Sequence, residues 1–413
     1  MNKNLLIGLE SKLADSLDRL ISLFGTETML WFARLYDPES GAFYYSNSGR
    51  DYEGFGPDLE STVQGLRCVE DKGMIDRYNC SLKNALPEAM IKKLTDFTKS
   101  CADPDGYYYH PQWGKNINVQ RRGRDLTWAR QIYDWFGEKP PYPTAVELIS
   151  EKRTEESVAL PDYLKSKTAF YAYLDSLDFK NKSYPAGNTL NAQGQQIRAA
   201  GLTEACCEYL IAHQNPKNGL WEDNISYSSV SGLMKVAGFF SGAGMALPNI
   251  KLALDSCIEM ALSDELPDAV TYVYNPQSAV CSLSAAMKKI GDTENAEYSR
   301  KRFQENIVPL IDKTYEKLSR FRKPDGSFSY LQNRSVCKSQ GAPVSLYLEN
   351  EGDVNATTIA MSGGVGMLLH NLGLPFKIYD LSDYSEFIAV LMAQTPIKKK
   401  PVPEGRESSP GRF

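Results

Sequence analysis

Two aspartates, Asp58 and Asp125, stand where polar runs pass into helical patterns of small and apolar residues. A pair of carboxylates is the minimum for glycoside hydrolysis, in which one is the general acid and the other the base or nucleophile. Aspartate is also a favoured helix N-cap, so each could instead satisfy only its own helix end. The catalytic hypothesis takes these two residues as the pair, with Glu60 able to replace Asp58.

Basic residues cluster just before Asp125, where the chain reads Arg121-Arg122-Gly-Arg124. Arg124 could bind a uronate or a sulfate in bidentate fashion, although such clusters more often lie in solvent. With Tyr227 as base and an asparagine neutralising the substrate carboxylate, the same residues could instead perform a lyase β-elimination.

Amides, hydroxyls and aromatic rings make up the remaining candidates for substrate binding. Trp113 and Trp221 could stack on sugar rings, and His110 is the only histidine placed for a pocket. The polar candidates lie near the predicted starts of inner helices: Asn188, Asn191, Asn275, Gln277, Asn355 and Thr357. A rim of this kind suits a hydroxyl-rich ligand. No metal site and no cofactor are expected.

A recurring turn separates the helical runs, and in each copy a proline and a glycine are followed by an aromatic residue. Proline suits the first position of such a turn, and glycine supplies the positive φ. The spacing of the copies predicts two degenerate ones between them, at 179–188 and 266–275. The four clear copies lie at 37–43, 103–107, 215–221 and 323–328.

The helices that follow the turns open with polar residues and continue with small ones, which lets helices approach closely. We interpret these as an inner ring, with starts near 58, 124, 191, 227, 275 and 355. The preceding helices carry more charge and form an outer ring, near 24–36, 87–101, 161–176, 202–213, 249–262 and 293–320. The predicted fold is an all-α, six-hairpin (α/α)6 toroid in a single domain over 1–394. Flanking helices are expected near 3–23 and 380–394, and a disordered tail over 395–413.

Two segments resemble the repeats of the prenyltransferase and squalene–hopene-cyclase superfamily. The run Tyr209-Leu-Ile-Ala-His-Gln214 with Gly219-Leu-Trp221 is similar to the QW repeat of triterpene cyclases, and 58–67 is similar to an inner-helix segment. The resemblance implies an (α/α)6 toroid, an architecture shared with six-hairpin glycosidases and toroid polysaccharide lyases. The chain departs from that superfamily in lacking the Asp-x-Asp-Asp acid motif of class II terpene cyclases and the zinc ligands of protein prenyltransferases.

Composition and charge exclude some classes of binding partner. Of the 413 residues, 42% are hydrophobic and 23% charged, and the net charge of -5 gives no reason to expect a nucleic-acid partner. No apolar run is long enough to cross a membrane. The cysteines are scattered without a CxxC pair, which predicts reduced thiols and a cytoplasmic location. Composition leaves the oligomeric state open.

The polar rim indicates a carbohydrate-active enzyme that binds a small-molecule or oligosaccharide ligand. A glycoside hydrolase is favoured over a polysaccharide lyase. The alternative is a terpenoid-cyclase-like or prenyltransferase-like enzyme, or a non-catalytic toroid that only binds a ligand. A hydrocarbon cyclase needs an aromatic, apolar cavity, so the character of the pocket distinguishes the two classes.

Overall fold

The computed structural model describes residues 6, 8–71, 74, 81–150 and 161–404. Within that part of the chain helices dominate, and the named strands β1 (Lys338–Ser339) and β2 (Ala342–Pro343) form one short antiparallel hairpin. A π-helical stretch, Ile359–Gly366, joins α18 to α19. The α-helices are α1 (Ser11–Ile21), α2 (Thr26–Arg34), α3 (Asn47–Asp51), α4 (Leu59–Asp71), α5 (Leu82–Ala85), α6 (Glu88–Ser100), α7 (Val119–Phe136), α8 (Ala145–Ser150), α9 (Lys167–Asp175), α10 (Phe179–Ala192), α11 (Gly194–Ala199), α12 (Thr203–Ala212), α13 (Tyr227–Ala243), α14 (Ile250–Leu262), α15 (Thr271–Ile290), α16 (Thr293–Glu305), α17 (Ile307–Ser319), α18 (Val354–Thr358), α19 (Met367–Asn371) and α20 (Leu381–Met392).

Six helical segments form a closed inner ring. In order they are α4, α7, α10, α13, α15 and the α18–α19 segment, and the last of these packs back against α4. The outer helices α2, α6, α9, α12, α14 and α17 precede them one by one. The predicted (α/α)6 toroid is therefore confirmed.

Close approach between inner helices depends on glycine. A Cβ atom added to Gly187 on α10 would lie 2.9 Å from the Cβ of Lys235 on α13. One added to Gly232 on α13 would collide with Ser183, and one added to Gly363 would collide with Tyr274 on α15. Because these contacts leave no room for a side chain, the small residues seen in the sequence set the spacing of the ring.

The glycines of the four clear turns lock each hairpin onto the next. All four have positive φ, between 71° and 87°. Gly41 lies against α6, Gly106 against the start of α8, and Gly219 against the start of α14. The last, Gly326, lies against α2, where the Thr28 hydroxyl donates to its carbonyl at 2.7 Å. The final hairpin thus contacts the first, and the ring closes.

Three predicted details are wrong. The second inner helix, α7, begins at Val119 and not near 124. The segment 179–188 is helical, because Phe179 already begins the third inner helix, α10, well before the predicted start at 191. A short link containing Asp178, with φ 54°, replaces the expected Pro-Gly turn. The fifth inner helix, α15, begins at Thr271, one turn before Asn275. Asn275 therefore does not open that helix.

The segments outside the ring agree in part with the sequence analysis. Helices α1 and α20 lie within the predicted flanking regions. Of the predicted tail the structure describes 395–404, in which the Lys400 amide donates to the Asp51 carbonyl at 2.8 Å. Residues 405–413 and Cys80 lie outside the described residues, and the seven described cysteines are buried thiols with no disulfide among them. None of the described helices has the length and apolar character required to cross a membrane.

Candidate functional site

A buried charge cluster surrounds Arg121 at the mouth of the ring. Its Nη2 atom lies 3.0 Å from Asp58 Oδ1 and 2.9 Å from Asp125 Oδ1, which places those two oxygens less than about 6 Å apart. Its Nη1 atom lies 3.3 Å from Glu60 Oε2, and Arg124 also pairs with Glu60. Arg121 belongs to the basic run noted in the sequence. Around it the structure brings together four of the predicted site residues: Asp58, Asp125, Glu60 and Arg124.

Helix starts position these side chains. Asp58 precedes α4 and accepts a hydrogen bond from the Ser61 amide at 3.0 Å, so it is an N-cap as well as an ion-pair partner. Helix α7 is capped by Asn118, which accepts from the Arg121 amide at 2.8 Å. Asp125 therefore lies in the second turn of α7, one turn after Arg121, and capping cannot account for it.

Three carboxylates share two guanidinium groups in this cluster. Burial raises the pKa of Asp125 to about 7, and the nearby charges of Asp58 and Glu60 add to the increase while Arg121 opposes it. The pKa of Arg121 itself is raised by the three carboxylates, against the effect of burial. One proton on Asp125 makes the five groups neutral as a set, which fits their burial.

His110 and Trp113 complete the wall of the cluster. The His110 Nδ1 atom accepts from the Gln112 amide at 3.1 Å, so Nε2 carries the hydrogen and donates to the Pro57 carbonyl at 2.9 Å. Burial lowers the pKa of His110. The Trp113 ring lies 4.4 Å from the imidazole, and the Arg121 guanidinium lies 4.8 Å from the Trp113 ring. Both side chains are thus engaged within the protein.

The structure points to a central chamber inside the ring beside this cluster. Four long side chains from four successive inner helices keep part of their surface uncovered. Burial nevertheless lowers the pKa of Lys235 to about 7 and raises the pKa of Tyr274. We infer that the uncovered surface of these two side chains borders an internal space. The four are Arg124 on α7, Tyr184 on α10, Lys235 on α13 and Tyr274 on α15.

A hairpin closes the chamber at the mouth. Strands β1 and β2 are joined by Gln340 and Gly341, both with positive φ, as a two-residue turn requires. The hydroxyl of Ser339 donates to Glu60 Oε2 at 2.8 Å, and the amide of Asn188 donates to Gln340 Oε1 at 3.2 Å. We call residues 338–343 the plug hairpin.

Two further acids lie just before the sixth inner helix. Asp353 caps α18 by accepting from the Ala356 amide at 2.7 Å, and burial raises its pKa to about 6. Burial also raises the pKa of Tyr45, and the nearby groups Asp353, Glu60 and Tyr330 add to the increase. Glu351 accepts hydrogen bonds from the amide and hydroxyl of Ser48, and burial raises its pKa to about 7.

The other predicted site residues are distributed over the inner ring. Asn275 donates to Ser231 at 2.7 Å and Gln277 to Thr314 at 2.7 Å, both between helices. The Tyr227 hydroxyl donates to the Glu265 carbonyl at 2.8 Å. Thr357 binds the Phe328 backbone, Asn355 is almost fully buried and Asn191 is exposed. The role of Tyr227 as a catalytic base and the roles of the others as substrate ligands stay predictions.

Trp221 lies outside the chamber, in the fourth hairpin turn. Its indole N–H donates to the Leu210 carbonyl at 2.9 Å, and Gln214 donates to the Gly219 carbonyl at 2.9 Å. The two residues that gave the QW resemblance thus bind the turn to its helix. Trp221 also borders a surface cleft of about 500 Å³ beside Tyr209 and His213.

Several residues inside the ring and at its mouth were not predicted as site residues, although the sequence contains signals for some of them. Arg121 precedes Asp125 by four residues, the spacing of a helical ion pair. Lys235 is the only charged residue in α13, and a lone charge in an apolar inner helix indicates a polar lumen. Tyr184, Tyr274 and Tyr330 gave no such signal, because tyrosine is common in ordinary cores.

No family model matches the chain, and no curated protein matches it. Three chains of solved structures do match. One of them is a terpene cyclase. It is the type II enzyme MstE from Scytonema, a variant solved in complex with its product merosterolic acid A. The two sequences are 12% identical, the TM-score is 0.40, and the match covers 89% of this chain and 98% of that one.

Proposed function

We propose that the protein is a terpenoid-cyclase-like enzyme that binds an isoprenoid-derived small molecule in the central chamber. The observation that carries the proposal is a cluster of partly uncovered tyrosines inside the ring, in which Tyr274 and Tyr330 both lie near Tyr184. Aromatic faces attract cations, more strongly where water is excluded. Such a lining suits a reaction that passes through a carbocation.

Asp353 is the proposed proton source. Its raised pKa keeps part of the acid protonated at neutral pH, as general acid catalysis requires. In the proposed step the carboxyl proton passes through the Tyr45 hydroxyl, which lies beside Asp353, to a carbon–carbon double bond of the substrate. The cation closes a ring, and loss of a proton to the carboxylate restores the acid. Asp353 would act alone, since the chain lacks the Asp-x-Asp-Asp motif.

The test compares two asparagine variants on a panel of polyprenols and polyprenyl diphosphates, with oligosaccharides alongside. Asn caps a helix about as well as Asp, so D353N should stay folded while cyclised product falls by about 10²–10⁴-fold. The matched control is D380N, which alters the N-cap of α20 and should leave turnover unchanged. Absence of any cyclised product from the wild-type protein, or full activity in folded D353N, would overturn the proposal.

A glycosidase is the second candidate, and one specific observation favours it. The predicted pair Asp58 and Asp125 meets on one nitrogen of Arg121, within the separation that glycosidases use. Against it, the guanidinium fills the gap in which a glycosidic bond would lie. Release of sugar by the wild type but not by D58N or D125N would establish this candidate. Ligand binding on either panel without any turnover would indicate a toroid that only binds.

A further inference from the structure

Lys235 presents an unusual amine to the central chamber. Its Nζ atom lies 5.8 Å from the centre of the Tyr184 ring. Among the described residues it has no carboxylate within ion-pair distance and no hydrogen-bond acceptor. Buried charges are normally paired, so this amine is left available for a ligand.

The groups around Lys235 favour its neutral form. The titratable and charged groups around it are Tyr184 on α10, Arg124 on α7 and Glu60 on α4. Burial and the Arg124 charge lower the pKa of Lys235 to about 7, while Glu60 opposes them. Glu60 is already engaged by both arginines and the plug hairpin. A desolvated lysine beside a second cation is a known arrangement for an amine nucleophile.

We propose that Lys235 binds an aldehyde- or ketone-bearing small molecule as a covalent imine. The neutral amine attacks the carbonyl carbon, a carbon–nitrogen bond forms, and the carbonyl oxygen takes up the proton released by nitrogen. The hydroxyl and the second nitrogen proton then leave together as water, which gives the carbon–nitrogen double bond. The step consumes no oxidant or reductant. It requires the chamber described above and is independent of the cyclisation chemistry.

Chamber geometry also restricts the class of carbonyl compound. The stem of Lys235 leaves α13 where Gly187 permits close contact with α10, so the amine is held beside the Tyr184 ring. A planar or unsaturated body attached to the carbonyl would lie along the tyrosine faces. The fitting ligand is therefore an unsaturated or aromatic aldehyde or ketone, and small saturated aldehydes serve as probes of the amine alone.

Reductive trapping tests the proposal on the full-length protein. The protein is treated with propanal and sodium cyanoborohydride from pH 6 to 9, and alkylation of each lysine is followed by peptide mass spectrometry. At pH 7 only about one exposed lysine amine in 10³ is neutral. Lys235 should therefore react on the order of 100-fold faster than the exposed Lys180. Its rate should level off above about pH 8, whereas the rate of an ordinary exposed lysine amine keeps rising about tenfold per pH unit.

Three variants complete the experiment: a matched pair at the two lysines, and one that tests entry past the plug hairpin. K235M should abolish the fast site, and K180M should retain it. Q340A removes the bond from the plug hairpin to Asn188 and should accelerate labelling at Lys235 if the hairpin limits entry. The inference is overturned if Lys235 reacts no faster than Lys180 in both the wild type and Q340A. No turnover is measured, so a protein that forms the imine but cyclises nothing would contradict only the proposed function.

Discussion

Arg121 has more partners than any other charged side chain at the mouth of the ring. It is fully buried and contacts Asp58, Glu60 and Asp125, which come from two inner helices. Desolvating so many charges is costly, and only their mutual attraction offsets it. The guanidinium therefore determines whether these carboxylates can remain in the interior, whatever chemistry they perform.

Removing that guanidinium should destabilise the protein strongly. We expect R121M to lower the free energy of unfolding by about 3–5 kcal/mol, because it leaves buried carboxylates uncompensated. Urea unfolding followed by circular dichroism measures the change. The control is K92M, which breaks the exposed pair between Lys92 and Asp96 and should change the free energy of unfolding little, because solvent screens such a pair. Equal losses in the two variants would mean that water enters the cluster.

At the scale of helices, the sequence predicted the starts of the fourth and sixth inner helices, and both carry ordinary capping signals. The fourth inner helix begins at Tyr227 after the Ser226 cap, and the sixth begins at Val354 after Asp353. The third was missed because α10 contains Pro185, which usually ends a helix. Lys182 leaves helical geometry with φ −141°, so the helix restarts and Pro185 falls in a first turn, where an amide proton has no helical partner.

The rotation of each inner helix about its own axis separates the site residues that could be predicted from those that could not. Asp58, Glu60, Arg124 and Asp125 cluster because the starts of adjacent inner helices meet at one mouth. The tyrosines of the chamber depend on how each helix is rotated about its axis. That rotation follows from contacts such as Gly363 against Tyr274, which no local pattern specifies.

Two glycines with positive φ allow a test of how a hairpin turn packs against the neighbouring helix. Gly326 and Gly244 both have positive φ, so alanine strains either one by about 1–2 kcal/mol. A Cβ at Gly326 would in addition lie 2.6 Å from the Thr28 amide, whereas a Cβ at Gly244 meets nothing within 4 Å. We expect G326A to lower the thermal unfolding midpoint several times more than G244A. Similar losses would show that the turn does not lock onto α2.

For the whole molecule, the decisive feature is the seam between the last hairpin and the first. Gly326 binds Thr28, the Val354 amide donates to the Tyr45 carbonyl at 2.9 Å, and Glu351 binds Ser48. These contacts join residues about 300 positions apart in the sequence. They convert a row of hairpins into a ring, so the seam should govern the stability of the molecule as a whole.

The acid in the seam predicts how that stability responds to pH. Burial raises the pKa of Glu351 to about 7, above the value of about 4.3 for an unfolded glutamate. The folded state therefore binds the proton more tightly, and the contribution of Glu351 to stability falls as pH rises from about 4 to about 7. E351Q should lack this loss, so its midpoint relative to the wild type should be higher at pH 8 than at pH 5.

Differential scanning calorimetry at the two pH values measures the effect. The control is E294Q, which alters an exposed glutamate paired with Lys251 and should show little change with pH. The difference in unfolding midpoint between E351Q and the wild type could instead be the same at pH 5 and pH 8. That result would mean that Glu351 is already ionised in the folded protein at pH 5.

Closure through Gly326 and Thr28 also limits how this architecture can grow. A solenoid gains a repeat by internal duplication at little cost, because each unit contacts only its neighbours. In this ring an added hairpin would separate Gly326 from α2, and every remaining interhelical angle would have to decrease to close the circle again. Each clear turn glycine is already fitted against backbone atoms of the following hairpin, so such small angular changes meet steric resistance at every turn. Insertions should therefore be tolerated as longer loops, while the number of hairpins stays fixed at six.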